Sequence, residues 1–166
     1  MVNRLAAGEA DALSLVYDRY GAALFRVLNA ILASPADAED ALQETFIALA
    51  TVRASKIRDL KAYLFVAARH QALSILRRRK RESGWEDVAE LEIAAPENHG
   101  SPHDFAALLA RLPLEQREVI ALKVWEEITF AEIAQVVKAS PNTVMSRYRY
   151  GIERLRTWCR EENLDE

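Results

Sequence analysis

The sequence predicts an all-α protein of two small helical domains joined by an acidic flexible linker, the C-terminal one containing a helix-turn-helix. Three observations point there. Between Ala36 and Ser83 there is neither Gly nor Pro, a run that suits long helices and little else. Only five glycines and five prolines occur in 166 residues, few for the turns of an all-β fold. The stretch where those breakers cluster, Glu82 to Pro102 with Gly84, Pro96, Gly100 and Pro102, is also strongly acidic and poor in large apolar residues, which reads as a linker. The chain thus divides into residues 1–81, 82–104 and 105–166. Lobes of about 80 and 60 residues can each hold a small core. An apolar share of 51% excludes a disordered chain.

Each helix has its own justification. Ala10, Leu13, Val16, Tyr17, Tyr20, Leu24, Val27, Leu28, Ile31 and Leu32 recur at steps of three and four, the pattern of an amphipathic helix. Ser34-Pro35 ends it. Ser34 can cap a second helix, with Pro35 in its first position and Asp37, Glu39 and Asp40 near its positive end. That helix runs to about Ala50. A short polar stretch, Thr51 to Asp59, precedes a third helix that carries Leu60, Tyr63, Leu64, Ala67, Ala68 and Ile75 inward and ends in a basic run. Beyond the linker come Phe105–Arg111, a break at Leu112-Pro113, then Glu115–Glu126, Thr129–Val137 and Pro141–Cys159, read as four short helices.

The last two have helix-turn-helix spacing. Thr129 is an N-cap candidate, and Glu132 three residues on completes a capping box. Ile133, Ala134 and Val137 form the apolar face, with Ala134 small enough for a close helix crossing. Lys138-Ala139-Ser140 is the turn; Ser140 caps the second helix and Pro141 opens it. Val144, Tyr148 and Ile152 fall on the buried side, leaving Asn142, Thr143, Ser146, Arg147, Arg149 and Tyr150 on the exposed side or its flanks. A recognition helix presents such residues to the major groove. Arg can bond guanine bidentately, Asn can do the same with adenine, and Ser or Thr can take base edges or phosphates.

Charge supports contact with nucleic acid at two places, although the sum argues against it. Lys and Arg number 22 against 25 Asp and Glu, a net charge of −3, where a nucleic-acid binder is usually basic. The sum hides blocks. Residues 61–81 hold Lys61, Arg69, Arg77, Arg78, Arg79, Lys80 and Arg81 and no acid. Residues 82–104 hold seven acids and no Lys or Arg, while 138–160 hold six basic residues against the single acid Glu153. Two basic blocks separated and flanked by acidic ones mark two candidate contact segments.

Other functions find little footing. The one cysteine, Cys159, can make neither an internal disulfide nor a Cys-rich zinc site, and it suggests a reducing, cytoplasmic setting. Residues 1–10 lack the apolar core of a signal peptide, and no stretch approaches 18 uninterrupted apolar residues, so no membrane insertion is expected. There is no P-loop, no dinucleotide fingerprint and no nucleophile with a recognisable base nearby. His70, His99 and His103 are scattered. The expectation is a non-enzyme with no catalytic residue, no metal and no cofactor.

Two motifs, read together, resemble a known family. Asp37-Ala38-Glu39-Asp40-Ala41-Leu42-Gln43-Glu44-Thr45-Phe46 is similar to the "D-A-E-D-x-x-Q-E-x-F" helix of bacterial sigma factors, and Lys61–His70 through Leu76-Arg77-Arg78 resembles their promoter-melting helix. Leu112-Pro113-Leu114-Glu115-Gln116-Arg117-Glu118-Val119, Glu132-Ile133-Ala134 and Thr143-Val144-Met145-Ser146-Arg147 resemble their C-terminal DNA-binding domain. Order, spacing and the missing middle domain fit the two-domain group called extracytoplasmic-function sigma factors. The resemblance covers roughly residues 10–81 and 105–160.

The resemblance implies a sigma region 2-like domain, a linker and a region 4-like domain. Asp37, Asp40, Gln43 and Glu44 would bind the beta-prime clamp helices of core RNA polymerase, and the beta flap is a second implied polymerase contact. Lys61, Tyr63, Arg69, His70, Arg77 and Arg78 would hold the melted −10 promoter element, with an unstacked base trapped and the backbone steered by cations. Asn142, Thr143, Ser146, Arg147, Arg149 and Tyr150 would read the −35 element as a duplex. The acidic linker would thread toward the active-site cleft. Sigma factors of this kind are often held by an anti-sigma factor, which makes one a candidate partner. The chain departs from the family at Tyr63, His70 and Ser74, where Trp, Asn and Asp are usual, at Lys138, where Gly is usual, and at Tyr150-Gly151-Ile152, in place of R-A-R. The competing reading is a free-standing helix-turn-helix regulator, which explains residues 105–160 but leaves the Asp37–Phe46 motif idle.

Overall fold

The computed structural model describes residues 10–53, 56–84, 105–126 and 128–164. Among them the architecture is all-α, as the sequence predicts, with no strand. The chain divides into two compact units, Met1–Trp85 and Glu86–Glu166. The linker expected over 82–104 lies outside the described residues beyond Gly84, as do His99, His103 and residues 1–9.

The first unit holds α1 (Ala10–Leu32), α2 (Pro35–Thr51) and α3 (Leu60–Glu82), each packed on the other two. Val16, Leu24, Leu28 and Ile31 of α1 meet Ala38, Ala41, Leu42 and Leu49 of α2 and Leu64, Phe65, Ala68 and Ala72 of α3 in the core. The buried alanines leave room for the helix axes to approach. Local chemistry sets the ends. Ser34 caps α2 by accepting from the Asp37 amide at 3.3 Å, with Pro35 in the first turn. Asp59 caps α3 by accepting from the Ala62 amide at 3.0 Å.

Two details differ from the periodicity. Tyr17, expected inward, is 53% exposed, its ring lying at the surface 5.1 Å from that of Phe46; Val16 beside it takes the core position. Phe65, Ala72 and Leu76 of α3 are buried beyond the expected stripe, whereas Tyr63 and Ala67 within it are half-buried. A helix packed against two neighbours buries a wider arc than a one-sided amphipathic helix.

The second unit holds α4 (Phe105–Ala110), α5 (Leu114–Glu126), α6 (Phe130–Val137) and α7 (Pro141–Leu164). Leu109, Leu112, Val119, Ile120, Leu122, Ile133, Val144 and Leu155 form its core. Arg117 is buried among them, 1% exposed, and donates through one guanidinium nitrogen to the carbonyls of Ala110 at 2.6 Å and Leu112 at 2.8 Å. It thus fastens the break after α4 onto α5. Burial pulls its pKa down to about 10, against the raising influence of Glu118.

Gly151 lets α7 press on α5, since a Cβ there would stand 2.5 Å from Ile120 Cδ1 and 3.3 Å from Gln116 Cβ. The last helix is not short: it spans 24 residues and continues past Cys159 to Leu164. Its apolar period fades there, but no Gly or Pro stops the backbone.

Candidate nucleic-acid interface

The helix-turn-helix is built by its caps. The Thr129 hydroxyl accepts from the Glu132 amide at 3.2 Å, and the Glu132 carboxylate accepts from the Thr129 amide at 2.7 Å, a complete capping box. Lys138 ends α6 in the left-handed region, φ 55° and ψ 48°, the backbone for which Gly is favoured. The Ala139 amide returns to the Ala134 carbonyl at 3.1 Å. The Ser140 hydroxyl accepts from the Thr143 amide at 3.1 Å and shares a 2.8 Å hydrogen bond with the Thr143 hydroxyl. Val144 is fully buried, Ala134 is buried, and Tyr148 and Ile152 are half-buried. The Tyr148 ring meets Phe130 edge-on at 5.4 Å.

The six residues named for duplex reading are not equivalent. Asn142, Arg149 and Tyr150 are exposed, and Ser146 is half-buried. Helical spacing of three, four and seven residues puts Asn142, Ser146 and Arg149 on one face. The Arg149 guanidinium lies 5.0 Å from the Tyr150 ring centre. Thr143 is exposed with its hydroxyl engaged in the cap. Arg147 sits on the flank toward α5, half-buried, and pairs with Glu115 at 2.8 Å. Glu115 is a feature sequence reasoning missed, because it lies 32 residues upstream of its partner.

In the first unit, Asp40, Gln43 and Glu44 are exposed along one face of α2. Asp37 is half-buried and paired with Arg79 of α3, which also donates to the Leu32 carbonyl at 3.0 Å. One guanidinium therefore joins the end of α1, the start of α2 and the end of α3. Partial burial lowers its pKa. Nothing in the sequence distinguishes Arg79 from the four basic residues around it.

On α3, spacing of seven places Tyr63, His70 and Arg77 on one face, Tyr63 half-buried and the others exposed. Arg69, half-buried, and Arg78, exposed, lie on its two flanks. Arg78 stands 3.9 Å from Glu82, a weak surface pair. Lys61, half-buried in the first turn, lies toward the packed side. Among the described residues, no group of three or more metal-binding side chains converges, and no helix is long and apolar enough to cross a membrane.

Comparison with known proteins gives the same picture for both units. Residues 16–82 match the family described as Sigma-70 region 2, and residues 103–155 match Sigma-70, region 4. The chain is similar to the ECF RNA polymerase sigma factor SigL of Mycobacterium tuberculosis, 30% identical over 169 residues, with 96% of each protein covered. It is similar also to the ECF RNA polymerase sigma factor BldN of Streptomyces coelicolor, 30% identical over 161 residues, covering 90% of this chain and 61% of BldN. Among solved structures it is similar to the sigma factor RpoE from Bartonella quintana, crystallised with the anti-sigma factor NepR. That likeness has a TM-score of 0.75 at 25% identity, covering 91% of this chain and 98% of that one. CnrH, solved with the cytosolic domain of CnrY, has the same fold at a TM-score of 0.70 and 21% identity, over 96% and 95% of the two chains.

Proposed function

The chain belongs to the extracytoplasmic-function sigma factors of the sigma-70 family, and we propose that it works as their two-domain organisation implies. It binds core RNA polymerase and directs initiation at a subset of promoters, without covalent chemistry of its own. The observation that carries this reading is the pairing of both sigma regions, in order, with two separately cored helical units.

The roles proposed for individual residues are those the family resemblance implies, sorted by exposure and geometry. The exposed Asp40, Gln43 and Glu44 of α2 form the docking face for the polymerase beta-prime clamp helices, with Asp37 holding that helix in place through Arg79. The second unit would meet the beta flap. Tyr63, His70 and Arg77 line the face of α3 turned to the melted −10 strand, with Arg69, Arg78 and Lys61 contributing charge around it. Stacking on an aromatic ring and attraction to phosphates together offset the cost of opening the duplex. Asn142, Ser146, Arg149 and Tyr150 of α7 read or clamp the −35 duplex, while Thr143 and Arg147 act from the cap and the flank. An anti-sigma factor is a fitting regulator, because RpoE from Bartonella quintana, which this fold resembles, is solved with one. The setting is cytoplasmic, where the polymerase is.

Core RNA polymerase mixed with the chain tests the reading. Co-elution is expected, and it should be lost when Asp40, Gln43 and Glu44 are changed together to Ala. Duplex binding by the whole chain without core enzyme, and no co-elution, would favour the free-standing regulator instead.

A further inference from the structure

Besides Tyr150, the exposed side of α7 carries a large apolar side chain in its first two turns. Met145 is 50% exposed, although Val144 beside it is fully buried. It stands three residues after Asn142 and four before Arg149, so it lies on the ridge that joins these two. Thr143 is engaged by the Ser140 cap and Arg147 by Glu115. The first two turns therefore present Asn142, Met145 and Ser146 beside the exposed Thr143, with Arg149 on the next.

A thioether on such a face finds few partners. Major-groove edges are hydrogen-bond donors and acceptors with one exception, the C5-methyl group of thymine. Asn, Ser and Arg can read adenine, guanine or phosphate, but none of them gains from that methyl group. Met is unbranched and adaptable, and can lay its terminal methyl on an apolar group without fixed geometry.

We infer that Met145 is a specificity-determining residue that selects thymine in the upstream promoter element through contact with its C5-methyl group. The inference rests on the sigma-factor reading and adds a base preference to it. Replacing thymine by uracil deletes the methyl group and leaves the pairing edge intact. The loss expected for the wild-type chain is about fourfold in affinity, the factor that burial of one methylene-sized group gives.

The experiment has two steps. Core RNA polymerase plus the full chain first enriches its upstream element from a random duplex library. Each thymine of that element, on both strands, is then replaced singly by uracil, and binding is measured for wild type, Met145→Ala and Met145→Gln. The expected result is one position, or two adjacent ones, where uracil weakens the wild type about fourfold and leaves both variants unaffected. Wild-type indifference to uracil at every position overturns the proposal. So does an equal uracil penalty in the variants, or an enriched element with no thymine on either strand. Failure to enrich any upstream element would instead strike at the sigma-factor reading itself, and Met145 would fall with it.

Discussion

Asp37→Asn separates holding a helix from touching a partner. In the native chain Arg79 spans the Leu32 carbonyl, at 3.0 Å, and the Asp37 carboxylate. The side chains are 35% and 26% exposed for Arg79 and Asp37, so solvent screens the pair in part. A charge-assisted hydrogen bond in that setting is worth about 1–2 kcal/mol, between a surface pair and a buried one. Asn keeps the volume and removes the charge. The first unit should lose that amount, and a domain of its size shifts its midpoint by roughly 4–8 °C per kcal/mol. Calorimetry reads the shift. Arg79→Met should cost as much or more, and the double variant should cost less than the sum of the singles, because each removes the same contact. At a temperature where every variant is folded, Asp37→Asn should keep its affinity for core polymerase, while Glu44→Ala should lose it without a stability change. An unshifted midpoint together with lost polymerase binding would refute the reasoning and return Asp37 to the docking face.

Other perturbations follow from the same geometry. Lys138→Gly should stabilise the second unit by ~0.5–1 kcal/mol, since a left-handed L-residue costs about 1–2 kcal/mol and glycine gives part of that back as unfolded-state entropy; an unchanged or lower melting point would contradict it. Arg117→Met should destabilise the same unit by about 3–5 kcal/mol, because the buried carbonyls of Ala110 and Leu112 lose their donor; denaturant titration showing less than ~1 kcal/mol would refute that. Arg147→Ala should weaken recognition of the upstream element by about 1–3 kcal/mol if the side chain meets a base, or flatten the salt dependence if it meets phosphate. Glu115→Gln, which releases Arg147, should then tighten duplex binding and steepen its salt slope. An unchanged promoter profile and salt slope in both variants would remove Arg147 from the interface.

What was legible in the sequence is what local chemistry decides. The Ser34-Pro35 cap, the Thr129 and Glu132 capping box and the Ser140-Pro141 start each lie within a few residues, and all three are found as read. The buried Val144 and the exposed Asn142 and Arg149 follow from one helical period. Tyr17 and Phe65 did not, because an apolar residue at the edge of a stripe is assigned by the neighbouring helix. Arg79 and Arg147 were harder still. Their carboxylate partners stand 42 and 32 positions away, and only the packed helices bring them together. Charge blocks locate a candidate interface, but they do not separate the cations that face solvent from those that hold the fold.

The most direct test is transcription in vitro by core RNA polymerase with and without this chain, on fragmented genomic DNA, with the transcripts sequenced. The expected result is a set of start sites that appears only with the chain and shares two elements upstream of the start, one for each unit. Transcripts identical with and without the chain would contradict its role as a sigma factor.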